Sequence, residues 1–105
     1  MRNKQSISIL NLDSILQTLS AKKSLLKKKY GVIKIGIFGS YATGSATTKS
    51  DIDIVIELNS SNTFQSFFGV KKFLESHFHR KIDLGIESSL KPSVKASIQS
   101  SIRYV

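Results

Sequence analysis

IGIFGSYATGSATTKSDIDIVIEL, residues Ile35 to Leu58, decides how the chain folds. An apolar run, Ile35 to Phe38, stops abruptly at Gly39-Ser40. A small and polar connection follows, Tyr41 to Ser50, with no large aliphatic residue. Asp51-Ile52-Asp53 then opens a second apolar run that ends near Leu58. Side chains alternate faces along a strand. Asp51 and Asp53 therefore share one face with Val55 and Glu57, while Ile52, Ile54, Ile56 and Leu58 share the other.

Outward from this stretch, the pattern extends in both directions. Val32 to Phe38 reads as a first strand, and Asp51 to Leu58 as a second. Before them, Leu12, Ile15, Leu16, Leu19, Leu25 and Leu26 recur at helical spacing, with Asn11 or Asp13 as N-cap and Gly31 as the stop. Lys22, Lys23, Lys27, Lys28 and Lys29 crowd the end of that helix, where cations are favoured, and read as a solvated surface. After the second strand, Asn59 to Thr63 is a turn and capping cluster. Phe64, Phe67, Phe68, Phe73, Leu74 and Phe78 supply the apolar side of a helix to about His79. Lys81 to Ile86 is a third strand with Asp83 facing away from Ile82, Leu84 and Ile86. Pro92 opens a last helix with Val94, Ile98, Ile102 and Tyr104 inward.

The expected fold is α/β (α+β), with a small mixed three-stranded sheet covered by helices. The first two strands pair antiparallel, and a helix of crossover length makes the second and third parallel. Ile33, Ile35 and Ile37 point inward from the first strand, and one sheet face, the acidic one, stays open. Glu57 lies about 13 Å beyond Asp53 at strand rise and reads as a surface residue.

The 105 residues suffice for one domain, 1–105, with residues 1–10 as a lead-in. Lys and Arg number 16 against 7 Asp and Glu, a formal net charge of +9, which favours polyanionic company such as nucleotide phosphates. Cysteine is absent, which excludes disulfides and thiolate metal sites. No apolar run approaches a membrane span, and polar Ser8, Asn11 and Asp13 interrupt any leader-like segment, so the expectation is a soluble, cytoplasmic protein without membrane contact. Nucleic acid is not the favoured partner, since no aromatic-basic recognition motif is present.

Three aspartates at the starts of adjacent strands converge on one sheet edge. Two like charges about 5 Å apart repel by roughly 3 kcal/mol at an effective dielectric near 20, so such a cluster calls for a cation. Hard oxygen donors on rigid strands suit Mg²⁺, which takes its remaining ligands from substrate phosphates. Gly39 permits close backbone approach, and Ser40 offers a hydroxyl and an N–H to phosphate. Lys49 is a candidate phosphate contact. His77 and His79 lack further nitrogen or sulfur ligands nearby and read as structural.

Gly39-Ser40, ten residues, then Asp51-Ile52-Asp53 resembles the G-S-x10-D-x-D signature of the DNA polymerase β-like nucleotidyltransferase superfamily. Together with the compact size and Lys81-Ile-Asp-Leu84, it looks like the minimal nucleotidyltransferase (MNT) branch over residues 31–105. The resemblance implies that Asp51, Asp53 and Asp83 bind a pair of Mg²⁺ ions, with Asp83 helping to deprotonate the acceptor hydroxyl. Gly39 and Ser40 would hold the β- and γ-phosphates of ATP or another nucleoside triphosphate. It also implies transfer of a nucleoside monophosphate, AMP first among them, to a helical HEPN-type toxin for which such a protein is the antitoxin. One position departs from the branch, which commonly reads G-S-x-A-R-G. Thr43 stands at the Arg position and supplies one hydrogen bond where Arg supplies a bidentate cation, a loss that Lys49 could offset. The alternative is a catalytically weak or inactive nucleotide-binding antitoxin that blocks its partner by complex formation.

Overall fold

In the computed structural model, which describes residues 10–105, four helices and a four-stranded sheet alternate along the chain. The lead-in expected over residues 1–10 lies, Leu10 apart, outside the described residues. Helix α1 spans Leu12–Tyr30. Asn11 caps it: its side chain accepts from the Ser14 N–H at 2.8 Å, and the Ser14 hydroxyl accepts from the Asn11 N–H at 3.0 Å. These two reciprocal bonds satisfy donors that the first turn leaves free. Gly31 ends the helix at φ +78°, and its carbonyl accepts from the Asn59 N–H at 2.8 Å. A Cβ at Gly31 would collide with the Asn59 carbonyl, so glycine is required on both counts. Ile15, Leu19 and Leu26 are fully buried, whereas Leu25 is exposed.

Strand β1, Val32–Phe38, runs antiparallel to β2, Ile52–Leu58, and β2 runs parallel to β3, Ile82–Ile86. The crossover is α3, Thr63–Phe78, capped by Asn62, whose side chain accepts from the Gln65 N–H at 3.0 Å. Ile35, Ile37, Ile52, Ile54, Ile56, Ile82 and Leu84 form the sheet's share of the core, and α1 and α3 cover it. Ile33 does not join them and is half-exposed. The register slips between Val32 and Lys34, and this bulge adds one residue that reverses the alternation there. On α3 the buried residues are Val70, Leu74 and Phe78. Phe64 and Phe68 are exposed, and the Phe68 ring meets Phe64 at a tilt and Phe67 edge-on.

The C-terminal segment departs most from expectation. Helix α4 is only Pro92–Gln99 and buries nothing, with Val94 exposed. Beyond it, Arg103–Tyr104 forms a fourth strand, β4, antiparallel to β1, giving the order β3-β2-β1-β4. The free edge of β1 offers backbone partners that a longer helix could not use, and Val105 adds an N–H bond to the Ile35 carbonyl at 3.0 Å. Tyr104 therefore lies on the sheet rather than on a helix.

This segment also closes half of the face expected to be open. Gly85, Val55, Gly36 and Tyr104 form one row across the sheet. The Tyr104 ring lies over Gly36, where a Cβ would come within 2.9 Å of it, and Leu90 approaches Gly85. Val55 between them is 1% exposed. Glu57 is likewise more than a surface residue: it accepts from the Ser88 N–H at 2.9 Å and the Ser88 hydroxyl at 2.7 Å, pinning the 3₁₀ turn Glu87–Ser89. What stays open is the aspartate end. No helix among the described residues is long and apolar enough to cross a membrane.

Candidate active site

The open end is assembled from three chain reversals. Phe38, the last residue of β1, is the register partner of Asp53, and Asp53 is the partner of Asp83 across the parallel pair. Paired residues project to the same face, so Asp53 and Asp83 stand side by side. Burial, then the negative charge of Asp83, a hydrogen bond with it, and the charge of Asp51 push the Asp53 carboxyl up to about 6. Asp51 precedes β2, and its carboxylate lies 3.8 Å from the Lys81 amine. Drawn aside in this way, Asp51 does not complete a trio: among the described residues, no three His, Cys, Asp or Glu side chains surround one point as metal ligands.

Directly after β1 the chain turns into α2, Gly39–Thr43. Gly39 takes φ +71°, and a Cβ there would strike the Asp53 carboxylate. Only glycine lets this turn and β2 approach so closely. No side chain caps α2, which opens at Gly39 beside the Asp53 carboxylate, so its first N–H groups have no side-chain acceptor among the described residues. The Thr43 hydroxyl, by contrast, is engaged within the turn, at 3.3 Å from both the Gly39 and Ser40 carbonyls and 3.0 Å from the Ser45 hydroxyl.

The nucleotidyltransferase domain model matches residues 19–105. The chain belongs to that family. Its relatives include the protein adenylyltransferase MntA of Thermococcus cleftensis, 32% identical over 99 residues, which span 94% of this chain and all of that protein. A solved structure described as a minimal nucleotidyltransferase superposes with a TM-score of 0.76 at 24% identity, over 92% of this chain and 98% of that one. A chain in the solved complex of a tri-AMPylated Shewanella oneidensis HEPN toxin with its MNT antitoxin superposes at 0.59 and 19% identity, over 84% of this chain and 69% of that one. At these identities the two structures speak for the fold, which is the mixed α/β architecture expected from the sequence.

Within this nucleotidyltransferase, Gly39, Ser40, Asp53 and Asp83 meet at one place, with Asp51 at its margin. Lys49 does not meet them through an ion pair. Its backbone N–H bonds the Thr47 hydroxyl at 3.2 Å, its side chain is exposed, and the lysine paired with Asp51 is Lys81. His77 stacks on Phe73, and His79 takes φ +54° to end α3 with its N–H on the Glu75 carbonyl.

Sequence reading passed over three supports. Glu75 accepts from the Lys71 amine and, at 3.2 Å, from the Ile82 N–H, fixing the start of β3 against α3; the Lys71 bond and then the Ile82 bond hold Glu75 below the usual carboxylate range. Arg80 and the buried Tyr41 form the other pair, 2.7 Å apart. A groove of about 570 Å³ between the start of α1 and α2, lined by Asn11, Asp13, Tyr41, Thr43 and Ala46 among others, contains none of Asp51, Asp53 and Asp83.

Proposed function

We propose that this nucleotidyltransferase moves AMP from ATP to a hydroxyl of a partner protein, a HEPN-type toxin, and acts as its antitoxin. One observation carries the reading: the side-chain-free turn at Gly39 abuts the Asp53 carboxylate, beside Asp83. A phosphate-accepting turn and a carboxylate pair in contact are the two halves that phosphoryl chemistry requires. The relative named as a protein adenylyltransferase supports AMP as the group moved, and the Shewanella complex of an AMPylated HEPN toxin supports that class of partner.

Asp51, Asp53 and Asp83 are the residues that would hold Mg²⁺. The fit is chemical: every donor is a carboxylate oxygen, and a divalent cation would offset both the burial that chiefly lifts Asp53 and the charges of Asp83 and Asp51 that add to it. Asp51 joins by leaving Lys81. When bound, the metal supplies positive charge for the triphosphate and for the departing pyrophosphate. The chain does the rest. Ser40 and the uncapped N–H groups of α2 bind phosphate oxygens, and Lys49 reaches the triphosphate from its exposed position. Asp83 takes the proton of the acceptor hydroxyl, the acceptor oxygen bonds to the α-phosphorus, and the bond from that phosphorus to the β-phosphate oxygen breaks.

Incubation with α-labelled ATP, Mg²⁺ and a HEPN-type partner protein tests the proposal. Label on that protein, lost in Asp51→Asn, is expected. A tight complex that never takes label, from wild type or variant, overturns it. That outcome would favour the second reading, a nucleotide-binding antitoxin that blocks by complex formation. Thr43 motivates this alternative, since its hydroxyl is committed to its own turn and brings no positive charge.

A further inference from the structure

One guanidinium, on the segment that leads to Asp83, reaches both of the other chain segments that build the site. Arg80 Nη1 donates to the Tyr41 hydroxyl at 2.7 Å and to the Ser50 carbonyl at 3.1 Å. Tyr41 follows Ser40 in α2 and is 5% exposed, and Ser50 is the residue before Asp51. Arg80 itself stands three residues before Asp83, and the Lys81 carbonyl next to it accepts from the Ile52 N–H at 3.1 Å. His79, in the left-handed region at φ +54°, sets the direction in which the chain leaves α3 at Arg80. A non-glycine residue adopts that conformation at a cost of roughly 1 kcal/mol.

The other hydrogen bonds of this region are local. Thr43 bonds within its own turn and to Ser45, and Thr47 bonds Ser50. Among the described residues, Arg80 is the one side-chain bridge from α2 to the Ser50 segment. A buried tyrosine hydroxyl needs a partner in any fold. A plain structural tie, however, could run to any nearby carbonyl. This one spans the phosphate turn and the residue next to a candidate ligand.

We propose that Arg80 is a positioning residue for nucleotidyl transfer, setting the separation between the Gly39–Ser40 turn and the carboxylates of Asp51 and Asp53. The inference rests on the transfer reading above. Both bonds leave the single Nη1 atom of a planar guanidinium, so the Tyr41 hydroxyl and the Ser50 carbonyl are held to one fixed point. A misplacement of about 1 Å between substrate and reacting groups costs on the order of 100-fold in rate.

Two measurements on the full chain test it. In label transfer from α-labelled ATP to the HEPN-type partner protein, Arg80→Met should lower kcat by about 30- to 100-fold. The KM for ATP should stay within about threefold, because the groups that bind phosphate are retained. Arg80→Lys should recover part of the loss, and Tyr41→Phe combined with Arg80→Met should be no worse than Arg80→Met alone. By hydrogen exchange, amides of Tyr41–Thr43 and of Asp51 should open about 10-fold more readily in Arg80→Met, while those of α1 around Leu19 stay unchanged. A wild-type kcat in Arg80→Met, a loss confined to KM, or unchanged exchange at both segments overturns the positioning role while leaving transfer intact. A wild-type protein that transfers no label overturns the transfer reading, and with it this one.

Discussion

The two ends of one sheet face treat their acids in opposite ways. At the far end, Glu57 holds both the N–H and the hydroxyl of Ser88. Glu87 accepts from the Tyr104 hydroxyl at 2.9 Å and from Lys34 at 3.2 Å, and the Lys34 amine lies 4.6 Å from the centre of the Tyr104 ring. The hydrogen bond with Glu87 holds the Lys34 amine above the usual lysine range, so this end is electrostatically settled. At the near end, Asp53 faces Asp83 and its carboxyl rises to about 6. Both ends place an acid of β2, Asp53 or Glu57, on the same face of the sheet. Only one set is satisfied by the protein's own groups. An unfavourable arrangement kept on a rigid scaffold marks a site whose partner comes from outside.

The sharpest way to break the comparison is to neutralise an acid at the near end. Asp53→Asn should lower label transfer by about 10²–10³-fold, the scale of losing one electrostatic contact to the reacting group. Glu57→Gln should leave transfer within about twofold, since Glu57 holds only the far turn. Equal losses at both ends would erase the distinction. Next in size is Gly39→Ala, which puts a methyl against the Asp53 carboxylate at φ +71°. It should lower stability by about 1–3 kcal/mol in chemical denaturation. A variant as stable as wild type would show that the turn and β2 are not pressed together.

How much of this was legible in the sequence follows the range of the interactions. Asn11, Gly31, Asn62 and the limits of β1 are set by neighbours a few residues away, and the sequence carries them directly. The alternation in Asp51-Ile52-Asp53 put both acids on one face, and the crossover α3 put Asp83 beside Asp53. The bulge at Ile33 was hidden because one extra residue leaves the composition of a β-branched run unchanged. Strand β4 was hidden because two residues have no period, and their pairing depends on an edge more than 60 positions earlier. Arg80 and Tyr41 meet across 39 positions, and nothing local marks either as the other's partner. Lys81 is thirty positions from Asp51 in sequence, and only the parallel pairing brings it alongside.

At the far end, Glu57→Ala removes both bonds to Ser88 and should lower stability by about 1–2 kcal/mol, a fall of several degrees in Tm. The 3₁₀ turn that covers Val55 loosens with it. No change in Tm would mean that Tyr104 and Leu90 close that face without help from Glu57.

The smallest effect is the one most specific to the comparison, and it needs metal-free protein. A carboxyl raised from 3.8 to about 6 binds its proton more tightly folded than unfolded. Its ionisation therefore opposes folding: the penalty is absent below about pH 4, grows between pH 4 and 6, and is complete above that window. Asp53→Asn removes the penalty. Because the group is partly exposed and solvent screens its neighbours, the gain should be under about 1 kcal/mol at pH 7.5, a rise of a few degrees in Tm. At pH 4 the variant and wild type should melt together. A gain of equal size at both pH values would place its origin in packing, and a loss at pH 7.5 would mean that the near end is as well settled as the far one.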